Sequence, residues 1–307
     1  MLGFKQLALI GSTASGKTTL AVKIAHAHNA YILSLDSLSV YKEVNIVSAK
    51  PTQDVQKGIK HFGIDHLFPN EAFDVTIFIK LYKDVHKLCQ EKNKNLIIVG
   101  GTSFYLKILL EGISKRPLLS NTQAKEIRMH MKNPMAVYEM LAKCDPLYMK
   151  RIEPKDTYRI TKALEVYLAT GKIPSVYFKA NPPKPIIAEP LPLYEIVWKR
   201  DMLRKRIEQR TKQMIQEGLI DEVFSLEKKY TRAPNCMKAI GIKETLAYLD
   251  GIYNKVALMD KIMINTGRLA KRQETFNRSQ FNKAIRRNPE ELEILLLDHP
   301  FKGFREK

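Results

Sequence analysis

A chain of 307 residues, 45% hydrophobic and 27% charged, can bury a sizeable core and divide into two domains. Three cysteines, Cys89, Cys144 and Cys236, lie far apart and are odd in number. They read as free thiols of a cytoplasmic protein rather than a disulfide framework or a zinc site. No apolar run is long enough to span a bilayer, and no signal-peptide pattern precedes the first apolar segment. The net charge of +19 is uneven: residues 1–110 carry 13 Lys and Arg against 8 Asp and Glu, and the remainder 38 against 24. Such a balance suits a polyanion binder, or a solvated lysine-rich surface.

The first strand is expected at Gln6–Gly11 and leads directly into GSTASGKT, residues 11 to 18. This is a P-loop in its setting: apolar strand, Gly-rich turn, helix from Thr18 to about Asn29. Gly11 and Gly16 permit the turns, and backbone N–H groups of Gly11, Ser12, Thr13, Ala14, Ser15 and Gly16 converge on phosphate oxygens at a helix N-terminus. Lys17 supplies a point charge, and the Thr18 hydroxyl can serve Mg²⁺.

Further strands are expected at Tyr31–Leu35 and Asn95–Gly100, with helices at Val75–Cys89 and Ser103–Leu110. This alternation predicts an α/β fold, P-loop NTPase-like, with a mostly parallel sheet flanked by helices. Ligands of such sheets sit beyond the strand carboxyl ends, where the P-loop, Asp36 and the Gly100-Gly101-Thr102 turn all fall. Asp36 can cap its own turn or accept a proton from a nucleophile beside the phosphates. Thr102 can cap the following helix or hold a substrate.

Strand patterns vanish after residue 112, and helical spacing takes over at Gln123–Met131, Ala136–Ala142 and Asp156–Thr170, with Gly171 as a stop. A Pro-rich connector covers 181–192. The expected division is a core of 1–112 and 193–307 with an all-helical insertion domain at 113–192. A strand at Tyr194–Trp198 rejoins the sheet. Helices follow at Arg200–Glu217, Asp221–Tyr230, Ile242–Leu249 and Asp260–Arg286, then a last strand at Leu292–Leu297. From Lys261 to Arg287 there are eight basic residues and one acid, Glu274, a composition that can track phosphates.

Taken in order, GSTASGKT, DSLSVYKEVNIVSAKPT (36–52), VGGTSFYLKILLEG (99–112), DPLYMKRIEPKDTYRITKALEV (145–166), RIEQRTKQMIQEGLIDEV (206–223), KAIGIKETLAYLDG (238–251) and LAKRQETFNR (269–278) resemble the tRNA dimethylallyltransferase (isopentenyltransferase) family. Ser12, Ile242 and Phe276 stand where that family usually has Pro, Tyr and Trp. The resemblance implies transfer of a dimethylallyl group from its diphosphate to the exocyclic N6 amine of the adenosine 3′ to the anticodon, with Mg²⁺. It implies Asp36 as general base, Thr102 beside the substrate base and Arg206 at the diphosphate. It further implies a tRNA surface of Asp36, Ser37, Leu38, Ser39, Thr102, Arg128, Tyr158, Arg159, Ile160, Thr161, Lys162, Lys238, Gly241, Lys243, Lys271, Arg272, Gln273 and Arg278. The expected partners are the tRNA anticodon stem-loop and dimethylallyl diphosphate, with no membrane and a monomeric enzyme. Rival readings are a P-loop kinase of a small metabolite, an isopentenyltransferase acting on free adenine nucleotide, and an RNA-remodelling ATPase.

Overall fold

A computed structural model describes residues 4–301. Six strands form one parallel sheet: β1 (Gln6–Gly11), β2 (Ala30–Ser34), β3 (His61–Phe62), β4 (Asn95–Gly100), β5 (Leu193–Ile196) and β6 (Ile285–Arg287), in the order β3-β2-β4-β1-β5-β6. The central strands are buried on both faces, so β1 and β4 read as unbroken apolar runs, QLALIG and NLIIVG. The chain reverses direction across the sheet between β1 and β4, which opens a crevice at their carboxyl ends.

The helices are α1 (Lys17–Ala27), α2 (Gln53–Gln56), α3 (Val75–Glu91), α4 (Ser103–Glu111), α5 (Asn121–His130), α6 (Pro134–Cys144), α7 (Pro146–Met149), α8 (Thr157–Thr170), α9 (Pro174–Ala180), α10 (Arg200–Gln216), α11 (Leu219–Tyr230), α12 (Ile242–Leu249), α13 (Lys255–Gln280) and α14 (Pro289–Asp298). One core packs α1 and α14 on the sheet through Leu20, Ile24, Leu292 and Leu296 against Leu7, Leu9, Ile32 and Tyr194. A second unites Val40, Val44 and Val47 with Met214, Leu219, Val223, Ile242 and Ile262. It fixes the segment after β2 to the C-terminal helices.

The chain divides into two compact units, residues 1–109 with 187–307, and residues 110–186. The sequence reading placed these limits at 113 and 192. The Ile187 N–H donates to the Leu109 carbonyl at 2.9 Å, so part of the Pro-rich connector belongs with the larger unit. The smaller unit has its own core of Leu141, Met149, Ile160 and Leu164.

Two expected elements differ. Leu292–Leu297 is not a strand but lies inside α14: Asn288 caps the helix by accepting the Glu291 N–H, Pro289 takes the first turn, and Leu292 and Leu296 bury at helical spacing. The helix expected to run to Arg286 ends at Gln280, because Ile285–Arg287 pairs with β5 as an edge strand. Arg286 there ion-pairs with Glu195 at 2.7 Å, and Asn277 donates to the same carboxylate at 2.8 Å. A buried carboxylate requires such partners, and Glu195 is 1% exposed. Among the described residues, no helix is long and apolar enough to cross a membrane.

Candidate active site

The phosphate loop joins β1 to α1, and Gly16 caps α1 at φ 89°, a left-handed conformation that costs glycine least. Four distant side chains clasp this loop. Trp198 Nε1 donates to the Ser15 carbonyl at 3.0 Å, and Arg206 Nε to the Ala14 carbonyl at 2.7 Å. The Thr13 N–H donates to Gln273 Oε1 at 2.8 Å. Arg210 Nη1 lies 3.5 Å from Thr13 Oγ1. Protein groups alone thus fix the backbone of the loop, the preorganisation that an anion site uses.

Lys17 folds back over the loop and donates from Nζ to the Ser12 carbonyl at 2.6 Å. Burial pushes its ammonium down to about 8, with neighbouring Arg210 adding to the shift and Asp36 and Glu195 opposing it. Burial lowers Arg210 as well, again opposed by Asp36. Two crowded cations at the start of α1 favour an anion beside them.

Asp36 takes the first of the two roles that its position allows, capping its own turn. Its Oδ1 accepts from Leu38 N–H at 2.8 Å and Ser39 N–H at 3.1 Å, closing the turn after β2. Its Oδ2 makes no hydrogen bond among the described residues. Glu222 reinforces the same segment from α11, accepting N–H groups of Asn45, Ile46 and Val47 at 2.9, 2.7 and 3.1 Å.

Two cavities meet here. One, of about 740 Å³, is lined by Thr13–Thr18, Ser39, Arg206 and Arg210. The other, of about 660 Å³, is lined by Ser37, Leu38, Thr102, Lys238, Lys243, Arg268 and Arg272. Thr13, Asp36, Arg210 and Gln273 line both.

The expected RNA contacts differ in what they present. Ile160 is buried in the core of the smaller unit and cannot present its side chain. Gly241 is buried as the N-cap of α12, its N–H held by Glu244 at 2.7 Å. Gln273 spends both ends of its amide on protein atoms, Thr13 N–H and the Gly101 carbonyl. Lys271 and Arg278 are exposed on α13 but line neither cavity. In the smaller unit Arg128 and Arg159 are exposed and Thr161 is half-buried. Tyr158 is 63% exposed, and Lys162, paired with Glu165 at 2.6 Å, lies over its ring. Sequence reasoning missed Arg210 and Trp198. Arg210 follows Arg206 by four residues, the spacing that shares a helix face.

Residues 39–280 match the family described as IPP transferase. The chain belongs to the IPP transferase family. A tRNA dimethylallyltransferase of Sulfurovum is 60% identical over 95% of this chain and 97% of its own length. A tRNA isopentenylpyrophosphate transferase structure from Bacillus halodurans superposes with a TM-score of 0.70 at 29% identity, covering 96% of this chain and 94% of its own. A eukaryotic dimethylallyltransferase acting on tRNA shares the fold, with a TM-score of 0.82 at 24% identity over 95% of this chain and 75% of its own. This IPP transferase chain therefore has an α/β core with a parallel sheet and a helical insertion, as these relatives do.

Proposed function

We propose that this enzyme transfers a dimethylallyl group from dimethylallyl diphosphate to the N6 amine of the adenosine 3′ to the anticodon in tRNA, releasing diphosphate. The observation that carries the reading is the position of Asp36. Its carboxylate lines both the phosphate-loop cavity and the cleft edged by Lys238, Lys243, Arg268 and Arg272.

The diphosphate is taken by the loop, with Lys17, Thr18 and Arg206 as its polar and cationic partners. Arg210, between the two cavities, adds positive charge where the leaving group forms. Among the described residues, no cluster of three or more His, Cys, Asp or Glu side chains could hold a metal ion. The Thr18 hydroxyl in the phosphate-loop cavity suits Mg²⁺, a cation commonly bound by few protein ligands together with substrate phosphates. Bound there, Mg²⁺ would neutralise charge on the leaving diphosphate.

The substrate base leaves its stack and enters the basic cleft, at a cost of about a few kcal/mol. As the C–N bond forms and the allylic C–O bond breaks, the amine proton passes to Asp36 Oδ2, while Oδ1 stays committed to its turn. Thr102, at the cleft wall, holds the base. Phosphates of the anticodon stem-loop are met by Lys238, Lys243, Lys271, Arg272 and Arg278, and in the smaller unit by Arg128 and Arg159. Tyr158 offers an exposed ring for base stacking. Every named group belongs to one chain, so a monomer suffices.

The test is a transfer assay with labelled dimethylallyl diphosphate, Mg²⁺ and unmodified tRNA, with AMP and ATP as competing acceptors. Label at the adenosine beside the anticodon, and in no nucleotide, is expected. Label in AMP would assign a free-nucleotide transferase; ATP consumption without prenyl transfer would assign a kinase or an ATPase.

A further inference from the structure

Gln273 sits on α13, the helix that presents Lys271 and Arg272, yet its side chain turns inward to the phosphate loop. Its Oε1 accepts the Thr13 N–H at 2.8 Å, and its Nε2 donates to the Gly101 carbonyl at 2.9 Å. One amide thereby joins three elements distant in sequence: the loop after β1, the turn after β4, and α13. The approach is close. A Cβ on Gly101 would stand 2.6 Å from Gln273 Nε2. Glycine at 101 is what allows the contact.

The Thr13 N–H is a peptide donor at the mouth of an anion site. Left alone it would be free to point at a phosphate, at water, or at neither. Gln273 commits it, and with it the plane of the peptide that opens the loop. Arg206 and Trp198 fasten the carbonyls of Ala14 and Ser15, and among the described residues neither hydrogen-bonds to Thr13. Gln273 is the group that holds the first half of the loop from outside it, together with the longer Arg210 contact to the Thr13 hydroxyl.

We propose that Gln273 is a positioning residue for the diphosphate site, tying the phosphate loop and the Gly101 turn to α13, rather than a ligand of RNA. This builds on the transferase reading above only in taking the loop as the diphosphate site. Loss of the amide frees the Thr13 peptide, so the bound loop conformation must be selected from a wider set. Affinity for the anion falls while RNA affinity, set by the exposed cations of α13, does not. In turnover the deficit appears in the KM for dimethylallyl diphosphate more than in kcat.

Two variants of the full-length chain test this. Gln273→Met removes both hydrogen bonds at similar side-chain volume. Gly101→Ala leaves Gln273 in place but pushes its flexible amide away. Inorganic diphosphate with Mg²⁺ is titrated calorimetrically, tRNA binding is measured without diphosphate, and amide hydrogen exchange is followed in the loop and in β4. Both variants are expected to bind inorganic diphosphate about two- to tenfold more weakly. The Thr13 amide should exchange faster while Ile97 and Ile98 stay protected, and tRNA affinity should hold within about twofold, short of the loss of one net hydrogen bond. Unchanged diphosphate affinity with unchanged loop exchange in a folded variant overturns the role. So does a loss confined to tRNA binding, which would make Gln273 an RNA ligand. The parent's transfer activity reports separately on the assigned reaction, since diphosphate titration requires no prenyl transfer.

Discussion

The Arg206 guanidinium lies 4.7 Å over the ring of Trp198, and both side chains donate to neighbouring carbonyls of the phosphate loop. The indole face orients the cation, so Arg206 can bind the Ala14 carbonyl and still line the cavity. Trp198→Phe retains a ring but loses the bond to Ser15. We expect it to weaken inorganic diphosphate binding by about threefold to tenfold, one net hydrogen bond. Arg206→Ala should lose more, about ten- to a hundredfold, since it removes a charge-assisted donor as well. Isothermal titration distinguishes the two.

In the proposed reaction the two oxygens of Asp36 divide the work, Oδ1 holding the turn and Oδ2 taking the proton. Asp36→Asn keeps an acceptor for the Leu38 and Ser39 N–H groups but has no basic oxygen. Turnover should fall about 10²- to 10⁴-fold with diphosphate affinity preserved. Asp36→Ala should lose turnover and also loosen the turn, seen as a lower Tm. Equal kcat in the Asn variant and the parent would remove Asp36 from proton transfer.

Lys17 carries a sign that can be checked. Its ammonium is lowered to about 8 in the folded chain, below its unfolded value, so keeping it charged opposes folding at all pH below about 8. That opposition fades as pH rises through the folded pKa toward the unfolded one. Lys17→Met should therefore raise the Tm of the ligand-free protein at pH 7, by about 2 to 4 °C, while abolishing diphosphate binding. A bound anion restores the ammonium. Diphosphate binding to the parent between pH 8 and 9 should take up protons, detected as a dependence of binding enthalpy on the buffer's ionisation enthalpy. Proton release would contradict this.

Lys271, Arg272 and Arg278 are exposed on α13. Replacing all three with Ala should weaken tRNA binding and flatten the plot of log K against log salt by about 2 to 3 units of slope. Filter binding between low and moderate salt measures it. An unchanged slope would place the RNA on another surface.

Glu222 gathers three consecutive backbone N–H groups of the segment that follows Asp36. Glu222→Ala leaves them unpaired at the protein interior's edge and should cost about 1 to 3 kcal/mol of stability, measured by urea unfolding.

Much of this architecture is local chemistry and can be read without coordinates. GSTASGKT after an apolar strand specifies a phosphate loop because glycine turns and a helix N-terminus are short-range properties. Asp36 and Thr102 were locatable because parallel strands in α/β sheets deliver their carboxyl ends to one edge. Ser103–Glu111 and Ile242–Leu249 were legible from periodicity alone. Where the pattern was ambiguous, packing decided. The run at 292–297 suits a strand or a buried helix, and the cap at Asn288 with the surface of α1 selected the helix. Residues 285–287 left the helical pattern because β5 offered an unpaired edge and Glu195 needed a cation.

The side chains that shape the loop belong to that second class. Trp198, Arg206, Arg210 and Gln273 lie roughly 180 to 260 residues from the loop atoms they bind. No spacing rule connects positions so far apart, and a lone Gln in a basic helix reads as an RNA contact. Sequence alone establishes which residues can bind phosphate, because that capacity resides in a few adjacent peptides. Only the closed fold establishes what holds those peptides still, because long-range hydrogen bonds exist only after the sheet and the C-terminal helices have packed.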